Sequence, residues 1–353
     1  MKPNRICFNF FLIGILTIST GLLASDSSSF KDQLTDSSYK LICEGYENNN
    51  WEIFIMDADG ANLKNLTRTP DIHELYPQVS ADGKKIAYVS DKGKGRTRIR
   101  SVWIMDINGK NRIKIADYAR QPFWMPDNKE LGFLNQEYKK FNVMDFATKG
   151  IMFYNLKIEK VRAHPNNANI KHIYNPGFSP DSKWITATVH AGMGLKHGDL
   201  LIEADGDKVI NLKIKGCRPC FSPDGKWLAW GMTDHVIAVV PMHWTKKLPS
   251  IGKPVFKITH NKYKIYHVDW APNGKWLTIS CGPKGKGDIT KPGTLNAAAE
   301  VVGVYAADWN ILAVKFKASS TVDLTKDPEG VNWIHLTQNG KSYKESDWIP
   351  VKQ

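Results

Sequence analysis

The chain contains 353 residues, of which 42% are hydrophobic and 11% are aromatic. This composition supports a sizeable buried core and excludes a largely disordered chain. The formal net charge of +13 at pH 7 favours acidic partners over basic ones, although the lysines could also serve only to solvate the surface.

The first residues predict export rather than globular structure. Lys2 and Arg5 precede the apolar stretch CFNFFLIGILTISTGLL, and Ala24 supplies a small residue for cleavage. We therefore predict a signal peptide over residues 1–24, a short polar linker over 25–35, and a periplasmic or secreted protein. No transmembrane span is expected after cleavage. Leu22 is not small, so the cleavage position and an uncleaved anchor both stay open.

Export narrows the choice of partner. Cleavage after residue 24 removes Lys2 and Arg5 and no acid, which leaves a net charge of 13 − 2 = +11. Outside the cytoplasm, nucleic acid is not an expected ligand. An acidic polysaccharide, an envelope protein or another envelope polymer, or an anionic membrane surface is a better candidate.

A hairpin pattern recurs along the rest of the chain. Each copy is an extended run, a Pro-Asp-Gly-like turn and a second apolar run, which predicts strand, turn and strand. The turn Asp or Asn residues are 45, 54, 43 and 49 positions apart, a period typical of a propeller blade. The copies are PQVSADGKKIAY from Pro77, PFWMPDNKELGF from Pro122, PGFSPDSKWITA from Pro176, PCFSPDGKWLAW from Pro219 and VDWAPNGKWLTI from Val268.

Each hairpin is followed by two further extended runs, such as WEIFIMDADG (51–60) and LKNLT (63–67). One blade is therefore predicted to contain four antiparallel strands, here called a to d. The C-terminal ESDWIPV matches a strand a without its strand b, and DSSYKLICEG (36–45) supplies that strand b. We expect the two to pair and close a ring of six blades over residues 36–353, an all-β propeller that is a monomer.

The phrase FSPDGKW, the IMDADG…LT unit, the six copies and the split terminal blade resemble the TolB-type β-propeller family over about residues 36–353. The resemblance implies an envelope role similar to that of the Tol–Pal system. This sequence departs from TolB because fewer than twenty residues separate the signal peptide from the first strand, where TolB has an α/β domain. Similar propellers cap serine peptidases, but no G-x-S-x-G motif occurs here.

The aromatic columns and the cysteines are predicted to be structural. The Trp and Phe residues that recur on strands a and b are expected to pack blade against blade. Cys217 and Cys220 have redox-motif spacing but fall on a strand, so we expect them, like Cys43 and Cys281, to be small buried side chains. Pairing of these cysteines in an exported protein is the alternative.

The d–a and b–c connections emerge on one face of a propeller, and eight of the ten histidines fall in them. Basic stretches at 91–100 and 283–287 belong to the same face, and an insertion after strand b of the last blade contains an Ala-rich part that predicts a short helix. The residue that opens strand a is polar in every blade, and these residues are predicted to form a ligand-binding funnel rim: Tyr76, Gln121, Asn175, Arg218, His267 and Glu345.

We expect this face to bind its ligand without catalysis and without a cofactor, because no nucleophile–base arrangement or phosphate-binding loop is visible. Arg218 is predicted to contact a ligand carboxylate through its planar fork. The alternative, implied by resemblance to oligogalacturonate lyases, is a polysaccharide lyase using a divalent metal such as Mn or Ca. Its candidate ligands are His172, His190, His197 and His267.

Overall fold

The structure is a computed structural model that describes residues 28–245, 248–284 and 298–350. The predicted signal peptide lies outside these ranges. In chain order the elements are α1 (Phe30–Asp36), β1 (Lys40–Glu47), β2 (Asn50–Asp57), β3 (Lys64–Asn65), β4 (Ile72–Val79), β5 (Lys85–Lys92), a 3-10 turn (Gly95–Thr97), β6 (Ile99–Asp106), β7 (Ile113–Asp117), β8 (Ala119–Trp124), β9 (Glu130–Gln136), β10 (Thr148–Asn155), β11 (Lys160–Ala163), β12 (Ile173–Phe178), β13 (Trp184–Gly192), β14 (Leu195–Glu203), β15 (Val209–Asn211), β16 (Cys217–Phe221), β17 (Trp227–Thr233), β18 (Val236–His243), β19 (Ser250–Ile251), β20 (Phe256–Thr259), β21 (Lys264–Trp270), β22 (Trp276–Gly282), β23 (Asn310–Lys315), β24 (Ser320–Asp323), β25 (Trp333–His335) and β26 (Ser342–Ile349).

The strands form six blades, each with four antiparallel strands, which confirms the predicted fold class. Blade 1 has the order β26-β1-β2-β3, blade 2 β4 to β7, blade 3 β8 to β11 and blade 4 β12 to β15. Blade 5 contains β16, β17, β18 and β20, with β19 paired to β18, and blade 6 contains β21, β22, β23 and β25.

The predicted ring closure is also confirmed. The last strand, β26, pairs antiparallel with the first, β1, with Lys40 opposite Ile349 and Leu41 opposite Trp348. This pairing gives β1 a hydrogen-bonded partner on both sides, β26 and β2, and leaves β26 as the inner strand of blade 1.

The recurring turn has a clear local cause. In blades 2, 4 and 5 a serine hydroxyl donates to the turn aspartate two residues later, as from Ser222 to Asp224 at 2.7 Å. The next residue needs a positive φ, which Gly225 adopts at +69°. Asn128 and Ser182 adopt a similar φ, +58° and +61°, at the matching positions of blades 3 and 4.

The aromatic columns lie between blades, as predicted. Trp124, Trp270, Trp276 and Trp348 are all buried, and Trp348 contacts Trp276 of the neighbouring blade with ring centroids 6.2 Å apart. Cys43 and Cys281 are buried, Cys217 and Cys220 are half-buried, and all four are free thiols.

Three features differ from the sequence-based expectation. The segment predicted as a polar linker contains α1, whose Phe30 and Leu34 are fully buried against blade 6. The c–d connection of blade 6 contributes β24, which pairs parallel with β20 on the outer edge of blade 5. The described part of the Ala-rich insertion, residues 298–309, forms turns rather than a helix.

Within the described ranges, no helix has the length and apolar character needed to cross a membrane.

Candidate functional site

The six residues predicted at the funnel rim share an unusual backbone conformation. Each has a φ between +49° and +60°, and the strand pairing shifts register at or beside each of them. Such a bulge redirects a side chain that would otherwise alternate across the sheet. Contacts across the ring show that the side chains converge on the central channel: the Tyr76 hydroxyl donates to Asn175 Oδ1 at 3.0 Å, although the two residues belong to blades 2 and 4.

Arg218 lies at the centre of a buried ionic network. Its Nη1 is 2.9 and 3.0 Å from the two carboxylate oxygens of Glu345, and its Nη2 is 2.9 Å from Asp145 Oδ2. The guanidinium also stacks over the Tyr266 ring at 4.9 Å. Arg218 was expected to contact a ligand carboxylate, but in the structure its fork is occupied by carboxylates of the protein itself.

Glu345 remains ionised in this network. Burial raises the pKa of its carboxyl, but Arg218 and His267 outweigh burial and lower the pKa to about 2. His267 Nδ1 lies 2.7 Å from Glu345 Oε2, and its Nε2 lies 3.0 Å from the Ser346 carbonyl oxygen. Both ring nitrogens of His267 thus lie close to oxygen atoms of blade 1.

The channel mouth is covered by residues 298–305 of the blade 6 insertion, which we call the cap. Lys344 Nζ holds the cap by donating to the carbonyl oxygens of Ala299, Val301 and Val304 at 2.9, 3.2 and 2.9 Å. Val304 is buried against Phe141 of the blade 3 b–c loop. The predicted rim is therefore sealed: Asn175 is half-buried, and the other five residues are buried.

Two cations of the basic 91–100 loop also point inward. Arg100 makes a bidentate contact with Asp91, with both N···O distances at 2.7 Å, and Arg98 and Arg100 lie over the Phe141 ring at 4.9 and 5.3 Å. Both side chains are buried. The sequence had led us to expect surface charges at these positions. Instead, both arginines are buried and pack against the Phe141 ring beside the cap.

The four histidines of the metal hypothesis lie in two separate environments. His190 Nδ1 and His197 Nδ1 are 3.3 Å apart, and His172 lies nearby with its Nε2 3.2 Å from Glu137. His267 is committed to Glu345 in the channel. Across the described ranges, no three His, Cys, Asp or Glu side chains are grouped as ligands for a metal ion.

A pocket of about 230 Å³ opens beside the cap, between blades 4, 5 and 6. Lys264 Nζ lies in it, 2.7 Å from Glu300 Oε1 of the cap and 3.3 Å from Asp234 Oδ2. Burial lowers the pKa of Lys264, but the hydrogen bonds and charges of Glu300 and Asp234 outweigh it and raise the pKa. The remaining lining residues are His197, Gly216, Cys217, Arg218, Gly231, Thr233, Ile265 and Tyr266.

Sequence reasoning missed Lys264, Glu300, Asp145 and Lys344 as parts of this region. Lys344 could have been noticed beside Glu345, but Asp145 and Glu300 belong to loops of blades 3 and 6 that the repeat does not align.

The exposed lysines of the ring are paired to different extents. On the face of the a–b and c–d turns, called the turn face, Lys84, Lys129, Lys183 and Lys226 each pair with the aspartate of their own turn. Lys110, Lys157 and Lys275 on the same face form no ion pair within the described residues. On the face of the d–a and b–c connections, called the loop face, a set of exposed lysines forms no ion pair with any carboxylate in the part of the chain that the structure describes. This set is Lys92, Lys94, Lys139, Lys140, Lys171, Lys196, Lys213, Lys215, Lys262 and Lys284.

Comparison with known proteins agrees with this architecture. The family model of the WD domain, G-beta repeat, matches residues 252–286. The solved structure of TolB from Acinetobacter baumannii is similar with a TM-score of 0.58 and 18% identity, covering 90% of this chain and 68% of that one. The Kuenenia stuttgartiensis hydrazine synthase and a nidogen/laminin complex each give a TM-score of 0.51, with 11% and 10% identity and coverage of 91% and 86% of this chain, and of 48% and 97% of those chains.

One curated relative, the uncharacterized peptidase YuxL of Bacillus subtilis (strain 168), is 24% identical over 242 residues, which is 65% of this chain. The chain spans about a third of the length of that protein, 33%. The repeat, the ring and these similarities define a six-bladed β-propeller with WD-like blades. Among such propellers, its fold is of the TolB type.

Proposed function

We propose that this protein is an exported, non-catalytic β-propeller that binds an acidic glycan of the cell envelope through its loop face. The observation that carries the proposal is the set of ten exposed lysines on that face that form no ion pair with a carboxylate of the described residues, whereas four of the a–b turn lysines are neutralised by their own aspartates. Clustered cations without internal partners attract polyanions and raise their rate of encounter.

The sealed funnel shapes this proposal. Because Arg218 and Glu345 satisfy each other beneath the cap, the ligand contacts the surface around the cap rather than the channel itself. Several weak lysine contacts then act together along a polymer, which suits a chain of repeated acidic units better than a single small molecule.

The proposal that the protein is exported rests on the signal peptide predicted over residues 1–24. The fold shared with TolB is compatible with an envelope protein, and an acidic surface of another envelope protein is the competing partner.

The test compares binding of polygalacturonate and of a neutral glucan at low and high salt. We expect polygalacturonate alone to bind, and to weaken as salt rises, because the Debye length shrinks to about 8 Å at 0.15 M ionic strength. The variant Lys213→Glu/Lys215→Glu should bind at least about tenfold more weakly.

The matched control is Lys183→Glu/Lys226→Glu on the turn face, which changes the net charge equally and should leave binding unchanged. Equal binding of both polymers, or equal loss in both variants, would contradict the proposal. Salt-sensitive capture of an acidic protein, without any binding of polygalacturonate, would instead favour the competing partner.

A further inference from the structure

The pocket beside the cap already holds a carboxylate, and that carboxylate belongs to the protein. Glu300 Oε1 lies 2.7 Å from Lys264 Nζ, and the backbone oxygen of Glu300 accepts from Arg218 at 3.1 Å. The lysine side chain is only 9% exposed, so its charge needs a partner in the folded protein.

The backbone and the side chain of Glu300 are held very differently. Lys344 binds the carbonyl oxygens of Ala299 and Val301 on either side, which fixes the backbone of the cap. The Glu300 side chain is 28% exposed, and its second oxygen, Oε2, is buried without a hydrogen-bond partner among the residues that the structure describes. Rotation of this one side chain into solvent would therefore free the pocket without moving the cap.

The pocket that remains suits a small acid. Of the described carboxylates that pair with it, Lys264 would keep Asp234 alone, which is half-exposed and 3.3 Å away. The space of about 230 Å³ is bounded by Ile265 and the Tyr266 ring. Arg218 stays paired with Glu345 and Asp145 in either position of the Glu300 side chain, so the group that loses its nearest carboxylate is Lys264. An incoming carboxylate can accept from Lys264 as Glu300 does.

We propose that this pocket is a binding site for a small carboxylic acid, and that Glu300 is a built-in competitor whose carboxylate the ligand replaces on Lys264. The site rests on the proposed function in one respect: it would take a terminal uronate unit of the acidic glycan bound by the loop face.

The test measures binding of galacturonate by calorimetry to the full chain and to Glu300→Gln. The neutral amide pairs more weakly with Lys264, so we expect binding about tenfold tighter than in the unaltered protein. Galactose, which lacks the carboxylate, should not bind either form. The Lys264→Gln substitution should abolish the gain in the double variant, while Lys264→Arg should keep most of it.

Glu47→Gln is the matched control, because it breaks the Glu47–Lys341 ion pair on the same face and should leave affinity unchanged. Thermal melting checks that each variant is folded. Equal affinity in Glu300→Gln and the unaltered protein, or a gain that survives Lys264→Gln, would overturn the proposal. Tighter binding of an acidic peptide than of galacturonate would keep the pocket as a carboxylate site but overturn its assignment to a uronate.

The two proposals can fail separately. If polygalacturonate binds but Glu300→Gln does not bind galacturonate more tightly, the carboxylate-site proposal is wrong and the proposal for the loop face is retained. If Glu300→Gln binds galacturonate more tightly but the polymer does not bind, the carboxylate-site proposal is retained and the glycan proposal is wrong.

Discussion

At the scale of single residues, Arg218 is the cation that neutralises two buried carboxylates in the central channel. It faces Glu345 and Asp145, both buried, and its own side chain is 5% exposed. Arg162 has a comparable pair of acidic partners, Glu130 and Asp205, but is 39% exposed. The two arginines therefore separate the effect of burial from the effect of the ion pair itself.

We expect Arg218→Ala to lower the free energy of unfolding by about 3–5 kcal/mol, because it leaves two carboxylates buried without their cation. Arg162→Ala should cost about 1 kcal/mol, since water can replace the lost partner. Urea unfolding of both variants measures the difference. Equal losses would show that the network around Arg218 does not depend on its buried charge.

Asp199 is another buried acid, and no cation of the described ranges pairs with it. Thr188 donates to its Oδ1 at 2.7 Å, and its Oδ2 is buried without a hydrogen-bond partner in those ranges. Burial raises the pKa of Asp199 to about 8, despite the hydrogen bond from Thr188. The thiol of Cys217, the Tyr174 hydroxyl and the Arg218 guanidinium are the titratable and charged groups nearby.

This raised pKa predicts a stability that falls with rising pH. Between the unfolded value near 4 and the folded value of about 8, the folded state holds a proton that the unfolded state has released. The free energy of unfolding should therefore decrease across this window by up to about 1.4 kcal/mol per pH unit from this group.

Asp199→Asn keeps the acceptor for Thr188 and removes the titration, so it tests the pH effect directly. Urea unfolding from pH 5 to pH 8 should show the variant gaining stability relative to the unaltered protein as pH rises. Other buried acids contribute equally to both curves and cancel in the difference. A difference that does not vary with pH would mean that Asp199 is ionised in the folded protein.

At the scale of elements, the repeat explains what the sequence could predict. Ser-Pro-Asp-Gly turns specify local hairpins, so strands a and b of every blade were predictable without tertiary information. Helix α1 and strand β24 were not, because each is stabilised mainly by the blade on which it packs. A signal for α1 was nevertheless present: Ser29 and Asp32 form a capping box, and Phe30 and Leu34 lie one helical turn apart.

We expect Phe30→Ala to detach α1 from the propeller. The Phe30 ring is fully buried, makes an edge contact with Trp276 at 6.1 Å and lies under the Lys315 ammonium. A seven-residue helix is not stable without such packing. The free energy of unfolding should therefore fall by about 3 kcal/mol at most, because that is the contribution of docking α1 on the propeller.

Limited proteolysis within residues 28–38 measures this directly, with Lys31→Ala as the exposed control on the same helix. Cleavage should accelerate only in Phe30→Ala. If α1 stays protected in that variant, its position does not depend on the Phe30 contact.

At the scale of the whole molecule, blade number and ring closure were predictable because both follow from counting copies and matching the two chain ends. The site was predictable only in part. The convergence of the six strand-a residues follows from the repeat, since equivalent positions in a closed ring face one axis. The cap that seals them could not be predicted, because its residues have no counterpart in the other blades and their backbone oxygens accept from Lys344 and Arg218, which lie in other blades.

Closure gives the last prediction. Strand β26 supplies the inner strand of blade 1, so deletion of residues 342–353 should leave the edge of β1 unpaired and open the ring between blades 1 and 6. An exposed edge beside a broken core promotes association with other chains. We expect a fall in melting temperature of more than about 10 °C and loss of the monomer peak in gel filtration.

Deletion of residues 351–353 alone is the control and should change neither the melting temperature nor the monomer peak. Because the longer deletion also removes Lys344 and Glu345, a peptide of residues 342–350 added in trans should restore the monomer by pairing with β1. A truncated protein that stays monomeric with an unchanged melting temperature would show that the ring holds without this strand.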